Sequence, residues 1–281
     1  RKKLLIDSYL GEIMEEKKML ISVVIPTLNE ERFIAYALES IFAQEEVTCP
    51  VRVIVSDNGS TDRTMAICRE QFPKVTVVSG SAVGNIGQAR VVGCRKAMGV
   101  ARHLEISPWD HLLFWTDADS RLLPGCLAAV SRAFTERSVV ASSGPVVAEV
   151  RGQSLIYGYW AHRFHLLSFF PRTKELWLLR LFRRGNIFLI GPNTAVRESV
   201  FNGVTSEVSS CKVGEDIALT LSVLGCGGRT TYLAEQRVST SARKFIDEYG
   251  RWSWRRFAQY AGGVARPTVN GLVKRLALKY A

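Results

Sequence analysis

The stretch Leu112-Leu113-Phe114-Trp115-Thr116-Asp117-Ala118-Asp119-Ser120 decides how this 281-residue chain is read. Four apolar residues in a row mark a short buried strand, and two carboxylates one residue apart follow where it ends. In an open α/β sheet, ligands collect outside the carboxyl ends of the strands. An Asp-x-Asp pair there offers hard oxygen ligands to Mg²⁺ or Mn²⁺ and leaves positions for a diphosphate. Asp and Ser also favour turns for purely local reasons, by bonding to their own backbone. The pair takes its meaning from the segments around it.

Upstream, strand and helix alternate. Leu20 to Ile25 reads as a strand closed by Pro26, and Phe33, Ile34, Ala37, Leu38 and Ile41 are spaced for a helix over 30–43. A strand over 51–55 runs into the turn Ser56-Asp57-Asn58-Gly59-Ser60-Thr61-Asp62, with a helix over 63–71 behind it. A third strand, 75–78, precedes a loop bearing Gly80, Gly84 and Gly87, then a helix over 88–99. This alternation predicts a parallel, doubly wound sheet with right-handed crossovers. Neither G-x-G-x-x-G nor G-x-x-x-x-G-K-[ST] occurs, which disfavours NAD, FAD and P-loop chemistry. Downstream, a helix is expected over 124–134, strands over 139–147, 187–190 and 230–233, and a helix over 217–224 opened by Gly214-Glu215-Asp216.

Composition is that of a globular protein, 47% hydrophobic and 22% charged. No run of about 18 uncharged apolar residues predicts a spanning helix, and Arg1-Lys2-Lys3 opens no secretory leader. Cysteines 49, 68, 94, 126, 211 and 226 form no C-x-x-C pair, so free thiols in a reducing cytoplasm are expected. The net charge of +11 is localised: residues 151–200 hold eight Lys/Arg against two Asp/Glu, and 242–281 hold nine against two. Such a surface implies an anionic partner, whether phosphate, anionic lipid or nucleic acid. Residues 1–18 carry a weak helical pattern and read as a docking helix or an extension ahead of Met19.

Six segments occur in a telling order: Val23-Val24-Ile25-Pro26-Thr27-Leu28-Asn29-Glu30, Asp57-Asn58-Gly59-Ser60-Thr61-Asp62, Gly87-Gln88-Ala89-Arg90, Asp117-Ala118-Asp119, Gly214-Glu215-Asp216 and Thr240-Ser241-Ala242-Arg243. On these the chain resembles glycosyltransferase family 2, nucleotide-diphospho-sugar transferases of the GT-A architecture, over roughly Ile21 to Lys244. The resemblance implies an α/β, Rossmann-like, mostly parallel central sheet flanked by helices, with a basic helical C-terminal elaboration. It divides the chain into the 1–18 extension, a 19–245 transferase domain and a 246–281 tail. Within the domain, 19–120 is the nucleotide-binding half and 121–245 the acceptor side.

The reaction it implies is inverting transfer of a sugar from a nucleotide-diphospho-sugar, UDP-sugar by default, to an acceptor hydroxyl, assisted by Mn²⁺ or Mg²⁺. Pro26, Thr27 and Glu30 then line the nucleotide pocket, and Asp57 contacts the base, where a carboxylate accepts from uracil N3–H. Arg90 is the cation near the diphosphate, a role its planar guanidinium suits. Asp117 and Asp119 face ribose and metal, with Asp119 the more direct ligand, and Arg243 and Lys244 hold the diphosphate from the far side. Asp216 is the general base that takes the acceptor proton, although Glu215 and Asp216 also suit a helix N-terminus electrostatically. The chain departs from the family at Asn58 and Val91, has no histidine after His165, and lacks the Q-x-x-R-W signature of processive synthases. Single-sugar transfer is expected.

Tyr157, Trp160, Arg163, Arg172, Lys174, Trp177, Phe182 and Arg184 belong to an aromatic and basic region over 155–184. It reads as a helical excursion packed on the sheet or as a membrane-interface segment. The expected partners are a nucleotide-sugar donor, a saccharide or lipid-linked acceptor of cell-envelope or exopolysaccharide synthesis, and an anionic membrane surface; nucleic acid is not expected. That suits a cytoplasmic protein, peripheral at the inner membrane face. Two alternatives stand beside this reading: a sugar-phosphate nucleotidylyltransferase of related architecture, and a non-catalytic basic protein that binds membrane or nucleic acid.

Overall fold

The computed structural model describes residues 19–79, 85–150, 153–156, 186–211, 214–243 and 253. The 1–18 extension, most of the 155–184 region, Lys244 and the 246–281 tail lie outside them.

Strand β1 (Leu20–Thr27) is buried along its whole length. Strands β2 (Val51–Asp57) and β4 (His111–Trp115) flank it in parallel, and β3 (Thr76–Ser79) extends the sheet beyond β2, also in parallel. Helices cover both faces, as an apolar parallel strand requires. On one face Ile21, Val23 and Ile25 pack against α1 (Ile34–Phe42), α2 (Thr64–Gln71) and α4 (Cys126–Ala133). On the other, Val24, Leu113 and Trp115 meet α3 (Ile86–His103) and the later helices α5 (Glu198–Phe201), α6 (Thr205–Ser209) and α7 (Glu215–Gly225). Asn85 caps α3 by accepting from the Gln88 amide at 3.0 Å.

The sheet is completed by β6 (Ala141–Ser143), β9 (Thr194–Arg197) and β10 (Thr230–Tyr232), giving the order β10-β6-β9-β4-β1-β2-β3. It is mostly parallel, as expected, with β9 antiparallel to both neighbours. A second sheet, in the order β5-β11-β7-β8, unites β5 (Ser120–Leu122), β7 (Val146–Val150), β8 (Gln153–Ile156) and β11 (Val238–Ser241).

Two expectations need correction. The strand expected over 139–147 is split between the two sheets at Gly144-Pro145. A Cβ on Gly144 would lie 2.1 Å from the Gln236 carbonyl oxygen, so the chain turns where only glycine fits. Residues 187–190 form no strand beyond one bridge from Ile190 to Asn193. Hydroxyls replace the ladder there: the amides of Ile187, Leu189 and Ile190 donate to Thr230, Thr220 and Ser143.

Candidate active site

The C-terminal ends of β1 and β2 open into two loops that are stitched together. Asn29, at a φ of 56°, receives the Thr61 amide on its Oδ1 at 2.8 Å, and its own amide donates to Ser60 Oγ at 3.0 Å. The Glu30 amide donates to Thr64 Oγ1 at 2.8 Å. Pro26 and Thr27 are buried beneath, and Asp57 is half-buried with its Oδ1 accepting from the Ser60 amide at 3.0 Å. These bonds join the two loops into one polar rim.

Beside it, Arg90 projects from α3 and is only 1% exposed. Its Nη2 meets Asp117 Oδ1 at 2.6 Å, its Nε meets Glu215 Oε1 at 2.9 Å, and its guanidinium lies 5.0 Å from the centre of the Trp115 ring. Burial alone would lower the Arg90 pKa, but the Asp117 and Glu215 carboxylates outweigh it and hold the charge more firmly than usual. Glu215 is buried and Asp216 half-buried; desolvation pushes both carboxyls above their ordinary range, against the pull of Arg90. Asp216 accepts from the Gly191 amide at 3.0 Å and the Ile217 amide at 2.8 Å. A Cβ at Gly191 would stand 3.1 Å from Arg90 Nη2, so the absent side chain lets the loop close over the cluster.

A third group forms where β5 and β11 meet. The Ser241 amide donates to the Asp119 carbonyl at 3.0 Å, and Arg243 follows. Its Nε pairs with Asp119 Oδ2 at 3.1 Å, its Nη2 pairs with Glu30, and its guanidinium stacks 4.9 Å from the Phe33 ring centre. Each carboxylate of the Asp117/Asp119 pair therefore already has an arginine. Among the described residues no group of three metal-ligating side chains gathers. The donor set still suits a hard divalent ion, with two carboxylates at a strand end and diphosphate and water oxygens to complete the shell.

The family model for glycosyl transferase family 2 matches residues 22–205. The chain belongs to glycosyl transferase family 2. Among curated proteins, sequence comparison finds no match. Solved structures share the GT-A fold of this family 2 chain. S. aureus TarS 1-349 in complex with UDP-GlcNAc superposes at a TM-score of 0.60, with 18% identity over 93% of this chain and 66% of that one. GalNAc-T7 with UDP, GalNAc and Mn²⁺ superposes at 0.55, with 12% identity over 95% of this chain and 59% of that one. Against full-length TarS the chain covers 37% of the other's length at a TM-score of 0.56. This chain thus spans about a third to two thirds of these structures.

In the family 2 chain, Thr27, Glu30, Asp57, Arg90, Asp117, Asp119, Asp216 and Arg243 all lie at the strand ends or on the elements that close over them. Arg90, expected as the cation near the diphosphate, is buried and paired with Asp117 and Glu215. Glu215, expected as helix-start charge, is its partner. Gly191 was missed; its one signal was Gly-Pro at the end of an apolar run.

Proposed function

We propose that the chain is an inverting glycosyltransferase that moves one sugar from a UDP-sugar to an acceptor hydroxyl. The observation carrying this is Asp216, half-buried and aimed by the Gly191 amide, with Arg90 between it and the donor-side carboxylate Asp117. A carboxylate held in one rotamer beside the donor pocket can take the acceptor proton as the hydroxyl attacks the anomeric carbon. Burial raises its pKa above the ordinary carboxylate range, the direction that makes a carboxylate a stronger base.

Pro26, Thr27, Glu30 and Asp57 receive the nucleoside in this reading. Asp119, with Asp117, would hold Mn²⁺ or Mg²⁺, which supplies electrostatic stabilisation of the departing diphosphate. Arg243 and Lys244 would hold that diphosphate from the far side. UDP and the metal draw support from what TarS and GalNAc-T7 bind. A saccharide or lipid-linked acceptor, the 19–245 domain limits and a peripheral membrane contact through 155–184 belong to the same proposal. No helix among the described residues is long and apolar enough to cross a membrane. A purely binding protein would give no reason for Asp57, Asp117, Asp119 and Asp216 to gather around the strand ends.

Asp216→Asn tests the reading. Asparagine keeps the volume and the acceptor oxygen but cannot take a proton at neutral pH. UDP affinity, measured by titration calorimetry with Mn²⁺, is expected to stay within a few-fold. UDP release from UDP-GlcNAc, chosen as the donor TarS binds, is expected to fall by a factor on the order of 10² to 10⁴. Full turnover in the folded variant moves the base elsewhere, first to Glu215.

A further inference from the structure

One buried side chain on its own helix ties Asp216 to the segment that covers it. Thr220 is fully buried, and its hydroxyl donates to the Asp216 carbonyl at 2.8 Å while accepting from the Leu189 amide at 3.0 Å. Bonding back to the carbonyl four residues earlier is common for helical threonine and carries no function by itself. The second bond is the unusual part, because it ties the helix turn that bears Asp216 to the segment that caps it.

That segment is locked one residue further on. The Ile190 carbonyl accepts from the Asn193 amide at 2.8 Å and from Thr194 Oγ1 at 2.8 Å. A peptide unit is planar, with C=O and N–H pointing in opposite directions. Fixing the Ile190 carbonyl on one side therefore aims the Gly191 N–H the other way, into Asp216 Oδ2. Asn193 and Gln236 anchor the turn from behind: Asn193 Nδ2 donates to the Gln236 and Pro145 carbonyls at 2.7 and 3.1 Å, and Gln236 Nε2 donates to Asn193 Oδ1 at 3.0 Å.

We propose that Thr220 and Thr194 are positioning residues for the acceptor step, delivering the Ile190–Gly191 peptide to the Asp216 carboxylate. The assignment rests on Asp216 being the base. Neither threonine side chain reaches solvent, and neither can touch a substrate. Their effect reaches the reaction through the direction of one N–H bond, and a displacement of about 1 Å in a reacting group is enough to cost up to 10²-fold in rate.

The test compares Thr220→Val, which keeps the shape and removes both hydroxyl bonds, with Thr220→Ser, which keeps them. UDP release from UDP-GlcNAc, UDP affinity with Mn²⁺ and the hydrogen-exchange rate of the Gly191 amide are measured on each, with Asp216→Asn alongside. Thr220→Val is expected to lose roughly 10- to 100-fold in kcat, to keep UDP affinity within twofold, and to exchange the Gly191 amide at least tenfold faster. Thr220→Ser is expected to restore both. If Thr220→Val does not fold, Thr194→Val, which strips one of the two bonds from the Ile190 carbonyl, is expected to give a several-fold fall in kcat with the same faster exchange. Wild-type kcat and exchange in a folded threonine variant, with Asp216→Asn inactive, overturn the positioning role alone. An active Asp216→Asn overturns the base and the positioning role together.

Discussion

Replacing Arg90 with Met is the sharpest perturbation this site allows. Methionine matches the length and helix preference of the arginine stem and removes only the charge and its donors. Arg90 is 1% exposed, so solvent cannot substitute for it. The change leaves Glu215 and Asp117 without partners now at 2.9 and 2.6 Å, and forfeits the contact with the Trp115 ring. Removing one member of a buried ion pair costs about 3–5 kcal/mol, because the other charge stays buried and unpaired. At roughly 2–4 °C per kcal/mol for a chain near this size, the melting temperature should fall by about 6–20 °C.

The pH dependence makes the test specific. Burial pushes Glu215 and Asp216 above their ordinary range, and Arg90 works against that push. Without Arg90 both rise further. A carboxyl whose folded pKa exceeds its unfolded one contributes stability that is present at low pH and lost as pH rises through the folded value. The deficit of Arg90→Met against wild type should therefore be larger at pH 8 than at pH 5, read by calorimetric melting across that range. A deficit that is constant with pH, or below about 1 kcal/mol, the usual value of an exposed pair, would refute the bracing role.

Other expectations address the remaining groups. Asp119→Ala should abolish the Mn²⁺ dependence of UDP binding in titration calorimetry, and equal affinity with Mn²⁺ and with EDTA in the wild type would count against a metal at this pair. Arg243→Gln should strengthen Mn²⁺ binding in the absence of nucleotide, because it uncovers Asp119 and Glu30, while weakening UDP binding several-fold; identical behaviour for both ligands would separate Arg243 from the site. At the far end of β4, buried His111 sits 2.5 Å from Glu198 and 2.8 Å from Ser22 Oγ. Glu198→Ala should cost about 1–3 kcal/mol in urea unfolding, because a buried His111 nitrogen loses its hydrogen-bond partner, yet leave UDP affinity of the folded protein unchanged.

How much the sequence disclosed follows from what kind of signal each residue leaves. Ile21, Val23, Val24 and Ile25 are buried from both faces, so an unbroken apolar run announced their strand. Asp117 and Asp119 were legible because they break such a run at its end. Residues 187–190 misled for the converse reason: their side chains are apolar, but hydroxyls from three other segments satisfy their amides, and nothing local to the run encodes that. Gly191 matters for an amide and for a missing Cβ, neither of which has a spacing to read.

The two arginines show the same limit most plainly, and their difference bears on how the site works. Arg90 finds Glu215 across 125 positions and Arg243 finds Glu30 across 213, distances over which pattern carries no information. Both neutralise the Asp117/Asp119 pair, but with unequal freedom: the Arg90 side chain is 1% exposed and the Arg243 side chain 35%. A guanidinium bonded to two carboxylates and covered by protein cannot change partners without exposing a buried charge, which costs several kcal/mol. Solvent reaches the Arg243 guanidinium, so it can change partners more readily than Arg90, although Glu30 and Asp119 are themselves only 13% and 9% exposed. Arg90 is thus a fixed part of the frame that joins Asp117 to α7. Under the proposed function, Arg243 is the cation that would exchange Asp119 and Glu30 for the diphosphate.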